Sequence, residues 1–307
     1  MTATRRWDVV GFGEASLDEV WRLPPGFVLG DKARAVARDR LGGGQIATAL
    51  VAASRLGARA AFLGPLGDDP RGDEIARGLA EDRVAMIGPR AIGARSRTAL
   101  VLVDAQGGRT VLDEGGAAAA DPPALAAAIG DARALHLDAT HPAAALALAR
   151  IARAAGTLVS IDVDHVPADL HAARDVSALL GLADACVLAT GVAARATGRD
   201  DADAALAALV EAGPRGALVV ETRGAAGARA HRGAERFAVP AFAVEVVDTT
   251  ACGDTFRGAL LVALLEGRPA QEALRFASAA AALKCRALGR HGCPTRAELE
   301  ALLARRA

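Results

Sequence analysis

The segment Val244-Glu245-Val246-Val247-Asp248-Thr249-Thr250-Ala251-Cys252-Gly253-Asp254-Thr255-Phe256-Arg257-Gly258 runs from apolar residues through small ones into a helix-forming stretch. It reads as the end of a strand, a tight loop and a helix opening at Asp254. That order builds an anion site, because the first N–H groups of a helix lack intrahelical partners and lie at the positive end of its dipole. Ala251, Cys252 and Gly253 are small enough to let phosphate oxygens reach the backbone. An acid placed against such a site suits a group that takes a proton from a nucleophile aimed at the phosphate. Capping the helix is the other common use of Asp, and the local pattern leaves both uses of Asp254 open.

Outward from this segment, short apolar runs at 8–11, 60–63, 134–137, 158–162, 185–188 and 217–221 alternate with helix-like stretches at 44–55, 142–155 and 201–212. Such alternation is the mark of crossover units on a mostly parallel sheet, and it predicts an α/β fold. Segments 98–104 and 109–112 break the alternation. They flank Gln106-Gly107-Gly108, which tolerates positive φ, and so predict a hairpin and a small β lid. From Cys252 onward the chain reads as helices near 256–265, 270–285 and 296–305. No repeat or low-complexity linker marks a second unit, so 1–307 reads as one domain.

Lys plus Arg and Asp plus Glu both number 36 in the 307 residues, so no net field favours nucleic acid or an anionic membrane. A small-molecule substrate fits better. Tyrosine is absent and aromatics make up 3% of the chain, which argues against base stacking as a binding mode. Charges interrupt the Ala-rich runs before the roughly 20 apolar residues that span a bilayer. The N-terminal residues lack the apolar stretch of a secretory signal. Cys186, Cys252, Cys285 and Cys293 form no C-x-x-C pair and read as reduced thiols. The expectation is a cytoplasmic protein.

Asp248-Thr-Thr-Ala-Cys-Gly-Asp254-Thr-Phe-Arg-Gly closely resembles the C-terminal signature of the ribokinase-like, or PfkB-type, carbohydrate kinases. Further likenesses cover nearly the whole chain. Gly11-Phe12-Gly13-Glu14 followed by Asp18 looks like the family's first strand. Leu41-Gly42-Gly43-Gly44, leading to Arg55-Leu56-Gly57, looks like its Gly-Gly loop and helix. Thr222-Arg223-Gly224-Ala225-Ala226-Gly227 resembles its nucleotide loop, and the run from Ala279 to Cys285 its nucleotide-pocket helix.

The resemblance implies a three-layer α/β/α sandwich with a mostly parallel central sheet and a small β lid from segments near 14–40 and 95–115. It implies an ATP-dependent kinase that uses Mg2+ and phosphorylates a sugar or sugar derivative. Asp254 would be the base, with Ala251, Cys252 and Gly253 supplying anion-hole N–H groups. Asp18, Gly43, Gly44 and Thr48 would bind the acceptor, and Thr222, Gly224, Gly227, Ala281 and Lys284 the nucleotide. Asp248 would help hold a monovalent cation such as K+. A homodimer through the lid is also implied. Alternatives within reach are a nucleoside kinase of the same family and a nucleotide-binding regulator without turnover.

Several positions depart from the family pattern. Ala251 replaces a glycine and is tolerable if its φ stays negative. Thr48 replaces an acceptor-contacting Asn. Ala189-Thr190-Gly191-Val192 stands where an Asn-x-x-Glu motif orders magnesium-bound water, so Mg2+ would be held mainly by nucleotide phosphates and water. Asp162 and Asp164 form a carboxylate pair on one strand face if the strand continues. His136 and His141 lack a zinc frame, and Gly11-x-Gly13 lacks the third glycine of a dinucleotide loop. Arg95 and Arg97 are candidates to reach an anionic acceptor or to form a solvated loop.

Overall fold

Val9 and Val10 of strand Trp7–Phe12 are both buried, one against each face of the sheet, as a parallel strand covered by helices on both sides requires. The computed structural model containing this strand describes residues 5–28, 30, 32–105, 108–117, 122–164 and 170–305. The strand sits inside a nine-stranded sheet. On one side of it follow Ala132–Asp138, Leu158–Val163, Ala185–Ala189 and Leu218–Thr222, and on the other Ala60–Phe62 and Ala85–Met86, all parallel.

Helices Pro142–Ala154, Leu170–Leu180 and Ala202–Ala212 bring apolar side chains to the face that Val10, Leu135 and Ile161 share. Helices Gln45–Arg55, Cys252–Leu265 and Ala270–Lys284 cover the opposite face. The outcome is the expected three-layer α/β/α architecture.

The sheet extends beyond the sequence reading. Ala228–Arg232 and Glu235–Val239 add an antiparallel hairpin at one edge. A second sheet has the order Ala37–Gly43, Ser16–Arg22, Arg97–Val103, Arg109–Asp113. The anticipated hairpin forms its last two strands, with Asp104 N donating to Gly108 O at 2.9 Å. Gln106 and Gly107 of the expected turn lie outside the described residues. The strand Ala37–Gly43 joins the end of the expected lid segment near 14–40 to residues 41–43, which were expected as a Gly-rich loop. Its charged alternation, Arg38, Asp39, Arg40, gives no apolar signal, and its conformation follows from pairing with Ser16–Arg22.

The segment 244–247 is a correction of the opposite kind. It reads as a strand end but joins no sheet, and Val246 and Val247 are 58% exposed. Val247 N and Asp248 N donate instead to Cys285 O at 2.8 and 3.1 Å, which anchors the segment to the end of the Ala270–Lys284 helix.

Candidate active site

Neighbours of Trp7–Phe12 leave in opposite directions across the sheet, so its C-terminal end is a switch point where a crevice opens. Asp138 ends the adjacent strand there, and its carboxylate accepts from Glu14 N at 2.7 Å and Thr140 N at 2.9 Å. Asp162 and Asp164 follow one strand further along. The Cys252–Leu265 helix points its N-terminus at this row of acids and places Arg257 among them.

That helix opens at Cys252 rather than Asp254, and Ala251 precedes it with φ 64°, ψ 3°. The left-handed region disfavours a side-chain-bearing residue by roughly 1–2 kcal/mol, so the expected negative φ is corrected. In this conformation Ala251 O accepts from Thr255 N at 3.0 Å and Thr255 Oγ1 at 2.7 Å. Ala251→Gly is expected to raise unfolding stability by up to about 1 kcal/mol, the strain relieved less the extra freedom glycine gives the unfolded chain. A lower urea midpoint for the variant would contradict the strain argument.

No side chain caps this helix start. Asp254 lies within the first turn, 16% exposed, and accepts from Arg257 Nη1 at 3.2 Å. Burial pushes its carboxyl up to about 7; Arg257 opposes that shift, while the charges of Asp164 and Asp138 add to it. Gly253 and Asp254 present first-turn N–H groups that the helix itself leaves unpaired, whereas Cys252 N turns to Thr249 O at 3.3 Å.

Arg257 is 3% exposed and forms ion pairs with Asp162, Asp164 and Asp254. Its Nε lies 2.7 Å from Asp162 Oδ1 without hydrogen-bond alignment, so that contact is Coulombic. Gln45 Nε2 also donates to Asp164. The Asp162–Asp164 pair is thus held by a guanidinium.

Two cavities meet at this helix start and share Val246 and Thr249. The first, about 550 Å³, is lined by Asp18, Gly43, Gly44, Thr48, Ala251 and Asp254. Gly43 ends its strand directly beside Asp18: a Cβ there would lie 2.2 Å from Asp18 Oδ2. Gly44, at φ 93°, would set a Cβ 2.6 Å from Ala15 Cα, so the chain can enter the Gln45–Arg55 helix here only without a side chain. Burial raises the Asp18 carboxyl, against the hydrogen bond from Ser16 Oγ at 2.7 Å.

The second cavity, about 600 Å³ and largely apolar, is lined by Thr222, Gly224, Gly227, Ala281, Cys252 and Gly253, among others. Lys284, expected beside it, is not on its wall. Lys284 is fully buried, and its Nζ donates to Asp248 Oδ2 and to Asp248 O, each at 3.0 Å. The remaining oxygen of that carboxylate accepts from Thr250 N at 2.8 Å, and Oδ2 also accepts from Gly289 N at 2.9 Å. Asp248 is therefore committed to a protein cation, and a monovalent metal ion does not fit there.

The Ala189–Val192 turn likewise offers no metal cage. Gly191 N donates to Glu221 Oε1 at 3.1 Å, and Arg229 Nε donates to Glu221 Oε2 at 2.8 Å. His136 bonds Ser160 Oγ at 3.0 Å, and burial, with Arg257, holds it near 3, hence neutral. Among the described residues no group of three or more metal-ligating side chains assembles. Arg95 is exposed and pairs with Glu114, while Arg97 pairs with Asp113 and Glu14, and neither lines the first cavity. Glu14 was not singled out from sequence as a site residue; burial pushes it up to about 8 beside Arg97, Asp138 and Asp254. Its signal is positional, an acid one residue past a buried strand and glycine.

The family model described as pfkB family carbohydrate kinase matches residues 8–296. A ribokinase of Haemophilus influenzae is 31% identical over 83% of this chain and 85% of its own. An ATP-dependent ribose-1-phosphate kinase of Halopiger xanaduensis is 30% identical over 86% and 87%. The structure of Arabidopsis thaliana ribokinase complexed with ribose and ATP is 25% identical, superposes with a TM-score of 0.82, and the match covers 97% of this chain and 98% of that one.

Proposed function

The chain belongs to the pfkB family of carbohydrate kinases, and on that premise we propose that it transfers the γ-phosphoryl group of ATP to a hydroxyl of a sugar or sugar derivative, with Asp254 as general base. One observation carries the reading: a cavity lined by carboxylates and a more apolar one meet at the start of the Cys252–Leu265 helix, where Asp254 borders the first and Gly253 the second. The related ribokinase complexed with both ribose and ATP supports assigning a sugar to one cavity and the nucleotide to the other.

In this mechanism Asp18, the Gly43–Gly44 backbone and Thr48 orient the acceptor, and Thr222, Gly224, Gly227 and Ala281 line the adenosine side. The acceptor hydroxyl gives its proton to Asp254, and its oxygen attacks the γ-phosphorus in line as the bond to the leaving ADP oxygen breaks. First-turn N–H groups at Gly253 and Asp254 stabilise phosphate charge, joined by Cys252 N when it leaves Thr249 O. Mg2+ would arrive on the nucleotide and screen its phosphates, consistent with its preference for phosphate and water ligands. Arg257 positions the base. The second sheet would act as the lid over the acceptor, and its exposed Trp21, Val111 and Leu112, with Val36 just before its strand Ala37–Gly43, support a homodimer formed through it. No helix among the described residues is long and apolar enough to cross a membrane.

Acceptor-dependent ADP release, measured with MgATP across pentoses, hexoses, sugar acids and nucleosides, tests this reading. At least one sugar or sugar derivative should raise the rate about tenfold or more above the acceptor-free background. Nucleotide binding with no such acceptor would sink it in favour of a regulator, and a nucleoside alone as acceptor would move it to the nucleoside branch.

A further inference from the structure

Lys284 combines features that rarely coexist: complete burial, absence from the walls of both cavities, and an ammonium donating two bonds to one residue of the signature loop. Burying an ammonium is costly unless its charge and donors are met, so the chain must gain something by placing it there. Its partner opens the loop that ends at Asp254. We infer that the Lys284 ammonium is the built-in cation of this loop, a positioning residue that makes phosphoryl transfer independent of monovalent metal ions.

The bond pattern around Asp248 carries the inference. Asp248 Oδ1 receives Thr250 N, one peptide before the strained Ala251, and so sets the direction in which the chain enters the helix. Oδ2 receives Gly289 N and Lys284 Nζ, tying the loop to the end of the Ala270–Lys284 helix and the turn after it. Cys285 O completes the clamp by accepting from Val247 N and Asp248 N. An ammonium and a potassium ion carry the same charge, and both gather carboxylate and carbonyl oxygens. Lys284 Nζ takes one of each from Asp248, so a metal ion entering here would meet a like charge already in contact with its ligands. Covalent attachment also fixes the cation's occupancy at any salt composition.

The inference rests on the kinase reading for its rate measurements but not for its stability measurements. With a working acceptor, ADP release by the unaltered chain in KCl, NaCl or choline chloride at equal ionic strength should agree within about twofold, an effect below about 0.5 kcal/mol. Its melting temperature should be the same in all three. Selective activation or stabilisation by KCl beyond that margin would overturn the inference without any variant being made.

Lys284→Ala then supplies the converse. Its turnover should fall about tenfold or more and be partly restored by KCl or ethylammonium chloride but not by choline chloride. Its melting temperature should drop and respond to the same two cations. A variant with the turnover and melting temperature of the unaltered chain, indifferent to added cations, would also overturn it. If the variant does not fold, the cation series on the unaltered chain decides alone. If no acceptor supports turnover, the kinase reading fails, and the melting series still decides whether Lys284 fills the site.

Discussion

Asp254→Asn is expected to lower kcat/KM by about 10²–10⁴, the usual contribution of a positioned general base, without lowering the melting temperature at pH 8. Asparagine keeps the shape and can still accept from Arg257 Nη1, but it cannot take the acceptor's proton. The stability half follows from the raised pKa. Burial pushes Asp254 up to about 7 in the folded chain, above its unfolded value, so the native state favours the protonated form. Its effect on folding therefore becomes increasingly unfavourable as pH rises from the unfolded value through about 7. At pH 8 the neutral amide removes that burden.

The same value fixes the pH profile. In the free enzyme kcat/KM should fall about tenfold per unit below pH 7 as the base is protonated. A flat profile down to pH 5.5, or an Asn variant retaining more than about a tenth of the activity, would exclude Asp254 as the base.

Arg257→Ala should be the most destabilising single change near the site, costing about 3–5 kcal/mol, as expected when one partner of a buried ion pair is removed. Asp162 is fully buried, and Arg257 Nε, 2.7 Å away, is its nearest counter-charge. Burial already raises the Asp162 carboxyl well above the usual range while Arg257 holds it down. Without the guanidinium it rises further, so the variant should regain stability on acidification, toward the pH where unfolded and folded chains both carry the proton. Urea unfolding at pH 8 and pH 5.5 checks this: a loss under about 1 kcal/mol, or one that grows on acidification, contradicts the ion-pair account. Asp254 also loses an opposing positive charge, so the acid limb of kcat/KM in any folded Arg257 variant should move above pH 7. That shift distinguishes a residue that positions and tunes the base from one that only supports the core.

Much of the fold is legible in local pattern. The runs at 8–11, 134–137, 158–162 and 185–188 carry apolar residues on both faces, interrupted by Asp8, His136, Ser160 and Asp162, and strands covered on both sides have that pattern. The helix starts between them carry ordinary signals, such as Asp201 accepting from Ala204 N at 2.7 Å. The signature from Asp248 to Asp254 is also legible, because small residues leading into a helix with an acid in its first turn have a local chemical meaning. Strands such as Ala37–Gly43 and the hairpin Ala228–Val239 are less visible. They lie at edges, alternate weakly, and owe their conformation to a partner strand.

By itself, then, the sequence determined the α/β layering and a loop of small residues leading into a helix with an acid in its first turn, since each depends on residues within a few positions of one another. Only the tertiary structure decided that Asp162, Asp164 and Asp254 converge on Arg257, that Ala251 adopts the left-handed conformation, and that Lys284, 36 residues along the chain, closes on Asp248. These depend on desolvation and on charges brought together across the sheet and between helices, and an ionisable group's environment is the sum of everything folded around it.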